Sequence, residues 1–215
     1  MCSIKREELT ELFRSIGMIM LEKKDILCEM DSKVGDGDLG ITMSKGFGEL
    51  PDIINNIEEE DIGKVIMKGG MKLSSIIPST MGFLMSSGLM NGGKKIIGKS
   101  EIGAQEYADF LIGFMEGIIK RGNCIEGERT ILDAIAPAAR AAERSVSQEK
   151  PLTIVSNEAW LAAQEGAEST KYMVPKFGKA AVHKEACKGA VDQGACAGVY
   201  FIQGINNYIQ CKAKH

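Results

Sequence analysis

The sequence predicts an all-α protein in which eight amphipathic helices pack as an antiparallel bundle. Apolar residues recur at intervals of three and four positions along eight stretches of the chain, which is typical of helices with one buried face. β-Branched residues alternate with polar ones for no more than a few positions, so strands are not expected. The chain has 215 residues and no internal repeat or linker rich in proline and serine. It is therefore predicted to form a single domain, residues 1–215.

The first four helices are located by their apolar spacing and by the residues that interrupt it. A stripe that begins at Leu9 and Leu12 continues towards Met30. Pro51 is expected to end or kink the second helix, because proline has no backbone N–H. Asn91-Gly92-Gly93 predicts a turn after the fourth helix. The four predicted helices span residues 9–30, 43–54, 61–76 and 80–90.

The second half of the chain carries four more predicted helices and one long loop. Thr130 and Asp133 form a capping pattern at the start of the sixth helix, which predicts a structural role for Asp133. Residues 174–193 lack a helical period and predict a long loop with only short structure. The four helices are predicted at residues 105–120, 130–142, 157–172 and 194–212.

Composition excludes several classes of function. The net charge of −3 and the pI near 5.6, without any basic block, exclude a nucleic-acid-binding surface. Six cysteines without a CxxC pair, and only two histidines, argue against a zinc site and a disulfide framework. The N-terminus lacks the apolar core of a signal peptide, and no run of about 18 apolar residues occurs. We therefore expect a soluble, cytoplasmic protein that does not enter a membrane.

The residues best suited to chemistry lie between positions 31 and 40, a segment that we call the aspartate loop. Asp31, Asp36 and Asp38 fall within eight positions, with glycines between and beside the last two. Carboxylates this close repel one another unless a cation neutralises them, and hard cations such as Mg²⁺ or Ca²⁺ take oxygen ligands. The helical pattern after Gly40 places a helix N-terminus beside the loop, where phosphate binds favourably. The loop therefore predicts a site for a magnesium–nucleotide complex.

Two known types of binding loop do not match the aspartate loop, and a third interpretation stays open. An EF-hand does not fit, because Gly40 and Ile41 stand where its fifth and sixth loop positions require Asp or Asn and then Gly. A Walker A loop does not fit, because no Gly-Lys-Ser/Thr follows the glycines. A polar turn whose aspartates only cap a helix stays open on the residues alone.

Four glycine-bearing loops are expected to meet at one end of the bundle, because every second loop of an up-and-down bundle lies at the same end. These loops span residues 31–40, 77–82, 121–130 and 177–195. Thr80 then offers a hydroxyl and an amide to a phosphate, or acts as an ordinary helix cap. Lys179 either contributes a positive charge to a phosphate or is simply solvated. Asp192 either contacts a ribose hydroxyl or caps the last helix.

Together these stretches resemble the DhaL family, the nucleotide-binding subunit or domain of dihydroxyacetone kinase. Asp31-x4-Asp36-Gly37-Asp38-x-Gly40 is similar to the family's metal loop, and residues 127–134 resemble its GD(K/R)TMLDA segment. Residues 166–171 are similar to the helix that follows, while residues 178–180 and 192–195 resemble its GRAS and DPGA stretches. The match covers nearly the whole chain.

The resemblance implies an eight-helix barrel of antiparallel helices with ADP or ATP held at one end through two Mg²⁺ ions. By motif match, the metal ligands are Asp31, Asp36 and Asp38. The residues implied to line the phosphates are Leu39, Gly40, Ile41, Thr42, Thr80 and Met81. Those implied to border the adenine are Gly122 and Ile131. Those implied to close over the nucleotide are Lys179, Asp192, Gln193 and Gly194. No catalytic side chain is assigned, because two metal ions neutralise phosphate charge and orient an in-line transfer.

The resemblance also implies partners. A DhaK-type subunit holds the ketose covalently on its own histidine, and the DhaL subunit supplies the phosphoryl group. A DhaL chain without the ketose-binding domain resembles the form whose bound ADP is rephosphorylated by a protein of the phosphotransferase system, here a DhaM-type donor. The sequence leaves open which ketose is used, whether that donor or ATP supplies the phosphate, and whether the chain forms a homodimer.

Three departures from the family pattern bear on activity. Leu39 stands where the family usually has histidine, and Lys179 stands where it has arginine. The segment Pro78-Ser79-Thr80-Met81-Gly82 replaces the usual GGASG and is stiffer. The leading hypothesis is a kinase subunit. The alternatives are a nucleotide-sensing module that docks on a partner without turnover, and a structural bundle whose aspartate loop is only a turn.

Overall fold

The computed structural model describes residues 2–182 and 187–214, with Lys179 described by its backbone alone. Strand β1 (Ile4–Lys5) pairs antiparallel with β2 (Glu101–Ile102) and ties the N-terminal residues to the loop before α6. The described residues otherwise form nine α-helices: α1 (Leu9–Glu22), α2 (Lys24–Ser32), α3 (Leu39–Asn55), α4 (Ile62–Ile76), α5 (Thr80–Lys95), α6 (Ala104–Gly122), α7 (Leu132–Ser147), α8 (Leu152–Ser169) and α9 (Gln193–Lys212).

Eight of these helices form a closed ring. They pack in the order α1, α3, α4, α5, α6, α7, α8 and α9, and α9 packs back against α1. Most consecutive helices in the ring are joined by short connections, which gives antiparallel neighbours. The predicted all-α class and the eight-helix barrel are therefore confirmed. Among the helices of the described ranges, none is both long enough and apolar enough to cross a bilayer.

The helix predicted over residues 9–30 is divided in two at Lys23. Four consecutive charged residues, 22–25, interrupt its apolar stripe, and α2 buries only Leu27 and Asp31. The start of α3 packs against this junction so closely that a Cβ on Gly40 would lie 1.9 Å from the Lys24 carbonyl oxygen. The ring is thus formed without α2, which instead carries Asp31 to the N-terminus of α3.

The turn predicted at residues 91–93 is wrong, because α5 continues through Gly92 and Gly93 to its end at Lys95. A Cβ on Gly92 would lie 2.7 Å from the Phe110 ring, and one on Gly93 would lie 2.6 Å from the Gly63 carbonyl oxygen. These glycines allow α5 to approach α6 and α4 closely. Their local sequence is the same as that of a turn, so spacing alone does not reveal this role.

The second predicted helix also extends further than expected, because α3 passes through Pro51 and ends at Asn55. The core behind it is aromatic. The rings of Phe114 and Phe201 stack with centroids 4.7 Å apart, and Phe47 lies 5.7 Å from Phe201. Aromatic pairs of this kind add to the stabilisation from burial. They connect α3, α6 and α9 within the ring and leave the helix ends to build a site.

Candidate functional site

Three carboxylates meet where α2 leads into α3. One oxygen from each of Asp31, Asp36 and Asp38 lies within 4.8 Å of the other two. Asp31 is 8% exposed, whereas Asp36 and Asp38 face solvent. Like charges at this separation repel, and a divalent cation bound by all three oxygens removes that repulsion. The donor set is all carboxylate oxygen, which fits a hard cation such as Mg²⁺.

The aspartate loop folds around the carboxylate of Asp31. Its Oδ2 accepts hydrogen bonds from the backbone N–H groups of Gly37, at 2.9 Å, and Asp38, at 3.1 Å. Gly37 has a φ of +76°, which side-chain-bearing residues rarely adopt. A Cβ on Gly35 would lie 2.5 Å from Asp31 Oδ1. Both glycines are therefore needed for the loop to bring its carboxylates together.

Helix capping accounts for only part of this loop. Asp38 directly precedes α3, but its side chain makes no capping hydrogen bond. The backbone N–H of Thr42 donates to the Asp38 carbonyl oxygen at 2.9 Å and begins the hydrogen-bond ladder of α3. The amides of residues 39–41 come before that ladder and have no acceptor within the helix. This end of α3 therefore suits an anion, beside carboxylates that suit its cation.

Two further helices begin at the same end of the barrel. Ser79 caps α5, because its Oγ accepts a hydrogen bond from the Gly82 N–H at 3.0 Å, so Thr80 is not the cap but the first helical residue. Asp192 caps α9 through Oδ2, which accepts from the Ala195 N–H at 2.8 Å. The capping role considered for Asp192 is confirmed. Whether Asp192 also meets a ribose stays a prediction.

Contacts between residues distant in sequence join these helix ends. Gln193 Nε2 donates a hydrogen bond to Asp31 Oδ1 over 3.3 Å, which connects α9 to the aspartate loop. A Cβ on Gly194 would lie 2.9 Å from Met81 Cε and 3.5 Å from the backbone nitrogen of Ile131. The loops before α3, α5, α7 and α9 therefore share one end of the barrel, as the alternation of loops predicts.

The remaining predicted site residues lie in differing environments. Leu39 packs into the core and is 7% exposed, whereas the next-but-one residue, Ile41, is 53% exposed. Gly122 ends α6, where an added Cβ would lie 3.1 Å from Cys124 Sγ. The backbone of Lys179 begins a three-residue 3-10 helix, and its side chain lies outside the described residues. Their roles in nucleotide binding stay predictions.

Asp133 organises the loop before α7. It is 1% exposed, and its two carboxylate oxygens accept hydrogen bonds from the backbone N–H groups of Gly127, at 2.5 Å, and Thr130, at 2.7 Å. The structural role predicted for Asp133 is confirmed. The helix itself begins at Leu132, two residues after the predicted start.

Arg129 is a buried cation that sequence reasoning did not single out. It is 4% exposed, has a φ of +61° and places Nη1 at 3.8 Å from Asp192 Oδ1. Burial raises the pKa of the Asp192 carboxyl to about 6, partly opposed by the Ala195 N–H and by the charge of Arg129. The motif at residues 127–134 contains Arg129, but its spacing does not reveal an inward-facing side chain.

Comparison with known proteins agrees with the family resemblance that the sequence motifs indicate. A family model described as the DAK2 domain matches residues 33–207. The "PEP-dependent dihydroxyacetone kinase, ADP-binding subunit DhaL" of Escherichia coli is 24% identical over 94% of this chain and 96% of its own length. The corresponding subunit of "PEP-dependent dihydroxyacetone kinase 1" from Listeria innocua is 30% identical over 81% of this chain and 82% of its own length.

The fold also matches a solved protein. The native crystal structure of the dihydroxyacetone kinase of C. freundii superposes with a TM-score of 0.70 and 21% identity, covering 97% of this chain and 36% of that chain. The structure of that kinase in complex with AMP-PNP and Mg²⁺ gives a TM-score of 0.68 and 22% identity. This chain thus spans about a third of the solved kinase, and the likeness establishes a common fold.

Proposed function

We propose, on the premise that this chain belongs to the DAK2 domain family, that it is the nucleotide-binding subunit of a kinase for dihydroxyacetone or another short ketose. The observation that carries the proposal is the convergence of the Asp31, Asp36 and Asp38 carboxylates within 4.8 Å beside the N-terminus of α3. The names of the E. coli and Listeria relatives, and the AMP-PNP and Mg²⁺ of the C. freundii complex, support ADP or ATP with magnesium as the ligands.

Under this proposal the three aspartates hold two Mg²⁺ ions. The phosphates are bound by the amides of residues 39–41, by Thr42 and by the start of α5 at Thr80 and Met81. Gly122 and Ile131 border the adenine, while Lys179 and residues 192–194 close over the nucleotide. Bound Mg²⁺ would neutralise phosphate charge and favour an in-line transfer. The chain's own contribution is to orient the phosphates at the N-termini of α3 and α5 and to hold the metal ligands in register.

We further propose that the ketose is held by a DhaK-type partner subunit. The bound nucleotide is then ADP, which a DhaM-type protein of the phosphotransferase system rephosphorylates. The names of the E. coli and Listeria relatives, which are ADP-binding subunits of PEP-dependent dihydroxyacetone kinases, support this arrangement.

The nucleotide site is tested by calorimetric titration of the metal-free protein with ADP, with and without Mg²⁺. We expect binding that requires Mg²⁺ and is lost in the Asp36→Ala/Asp38→Ala double variant. The matched control is Asp25→Ala/Asp52→Ala, which removes two exposed carboxylates from α2 and α3 outside the loop. If the folded wild-type protein fails to bind ADP, or the control variant loses binding equally, the proposal is wrong.

A nucleotide-sensing module without turnover is the second candidate, and the burial of Leu39 in the core favours it. The family histidine at this position would offer a polar group, whereas Leu39 leaves only its backbone amide for a ligand. Transfer of phosphate to dihydroxyacetone in the presence of a DhaK-type subunit and a phosphoryl donor separates the two functions. ADP binding without any transfer would favour the sensor.

A further inference from the structure

The segment that leads from α8 to α9 is held mainly by polar contacts. We call its described residues, 173–182 and 187–192, the strap. Ala180 and Cys187 meet Val34 of the aspartate loop in one small cluster separate from the main core, and the partly buried Val191 packs against the main core beside α9. Other apolar side chains of the strap are exposed to solvent, namely Val174, Phe177 and Val182. Away from Val191, hydrophobic burial is therefore a weak constraint on where the strap lies.

Two adjacent residues of the loop before α7 hold the two described parts of the strap. The Glu128 carboxylate pairs with Lys176 Nζ at 3.0 Å, and the Lys176 N–H donates to the Glu128 carbonyl oxygen at 3.4 Å. Arg129 Nη2 donates to the carbonyl oxygens of Ala190, at 3.0 Å, and Cys187, at 3.4 Å. Both described parts of the strap, residues 173–182 and 187–192, are thus attached to the dipeptide Glu128-Arg129.

Arg129 reaches the strap because its backbone is in the left-handed region, with a φ of +61°. This conformation is uncommon for arginine and persists where the surrounding structure enforces it. Arg129 also lines a cavity of about 250 Å³ between the strap and the end of α2, together with Met30, Lys33, Ala190 and Gln193. Because the strap borders solvent-accessible space here rather than packed side chains, the guanidinium bonds matter more for its position.

We propose that Arg129 is a positioning residue for the nucleotide, an inference that rests on the proposed function. Its guanidinium joins the backbone of residues 187 and 190 to the buried carboxylate of Asp192, directly before Gln193 and Gly194. Only arginine presents several donors in one rigid plane, so lysine retains the charge without the fork. Arg129 therefore fixes the stretch that closes over the nucleotide and slows nucleotide release.

The experiment measures the dissociation rate of a fluorescent ADP analogue in Mg²⁺, displaced by excess ADP, for the wild-type protein and four variants. Arg129→Lys removes the fork, Lys176→Ala releases the other attachment, and Arg129→Gly deletes the side chain while favouring the same φ. We expect Arg129→Lys to release the nucleotide about tenfold faster, the equivalent of one hydrogen bond to a charged group. Lys176→Ala should show a smaller increase. Arg140→Ala is the matched control, because that arginine pairs with Glu126 of the same loop but is exposed.

Chemical rescue separates positioning from a general loss of structure. Guanidinium ion at millimolar concentration should slow nucleotide release from Arg129→Gly but leave Arg140→Ala unchanged. If Arg129→Gly does not fold, Arg129→Lys and Lys176→Ala decide the question. Release at the wild-type rate from both overturns the role of Arg129, whereas failure of the wild-type protein to bind ADP overturns the proposed function instead.

Discussion

Gln193 Nε2 donates a hydrogen bond to Oδ1 of Asp31 over 3.3 Å and thereby joins the first residue of α9 to the carboxylate around which the aspartate loop is folded. The other oxygen of Asp31 accepts from two loop amides. One carboxylate therefore orients both a candidate metal site and the helix that follows the strap. Metal binding and the position of α9 are expected to be coupled through this contact.

Replacing Gln193 tests that coupling. Gln193→Ala should weaken binding of Mg²⁺–ADP about tenfold, since a hydrogen bond to a charged group contributes about 1.5 kcal/mol. Titration calorimetry at fixed Mg²⁺ measures the change. Gln105→Ala is the control, because Gln105 donates to the Asp109 carboxylate at 2.9 Å on the exposed face of α6. Equal affinities for wild type and Gln193→Ala would contradict the coupling.

Two glycines of α3 should respond oppositely to the same substitution. A Cβ on Gly40 would lie 1.9 Å from the Lys24 carbonyl oxygen, whereas a Cβ on Gly48 meets nothing within 4 Å. Gly40→Ala is therefore expected to lower the free energy of unfolding by about 2 kcal/mol or more. Gly48→Ala should raise it by about 0.5–1 kcal/mol, because alanine favours helix. Urea denaturation of the two variants measures both changes, and a stable Gly40→Ala protein would contradict the close packing.

Asp192 makes stability depend on pH. Its folded-state pKa of about 6 lies above its ordinary value of 3.8, so the folded state takes up the proton more readily than the unfolded chain. The free energy of unfolding should therefore fall as pH rises from 4 to 7, by about 2 kcal/mol from this group. Asp192→Asn keeps a capping oxygen and should remove that part of the slope. Denaturant curves at both pH values for the two proteins make the comparison, and identical slopes would exclude a raised pKa.

Removing the hydroxyl group should have opposite effects on stability at Tyr107 and at Tyr208. In the described structure Tyr107 is 2% exposed and its hydroxyl makes no hydrogen bond, whereas the Tyr208 hydroxyl donates to the Glu8 carboxylate at 3.3 Å. Tyr107→Phe is expected to raise the free energy of unfolding by about 1 kcal/mol, because an unsatisfied polar group is removed. Tyr208→Phe should lower it by about 1 kcal/mol. Thermal and urea unfolding report both, and a destabilised Tyr107→Phe protein would argue for a hidden partner.

Helix existence was predictable because apolar periodicity is a local property of the chain. The bounds that failed depend on tertiary contacts: Lys23 divides the first helix where α3 packs on the Lys24 carbonyl, and Gly92 and Gly93 extend α5 because α4 and α6 approach them. For α5 those contacts determine the end of the helix, whereas at Lys23 the packing of α3 acts together with the charged residues 22–25 that interrupt the apolar stripe. Spacing alone does not contain that information.

The candidate site shows the same division. The carboxylate trio lies within eight residues and was predictable as a cluster, and the alternation of loops placed four loops at one end. Thr80 was considered as the cap of α5, but the cap is Ser79. This is a difference of one residue at a helix boundary, where sequence signals are least precise. The inward-facing side chain of Arg129 was not predictable. It depends on a left-handed backbone conformation, and an arginine in the sequence does not indicate that conformation.

The closure of the ring between α1 and α9 has a consequence for synthesis on the ribosome. This seam is tight, since a Cβ on Gly204 would lie 2.5 Å from the Cα of Ile16, and it joins helices separated by most of the chain. Until the 20 residues of α9 emerge, the nascent chain holds an incomplete barrel whose apolar interior is open along one side. Aggregation and chaperone binding are therefore expected while α9 is still missing, although the eight helices that precede it are already present.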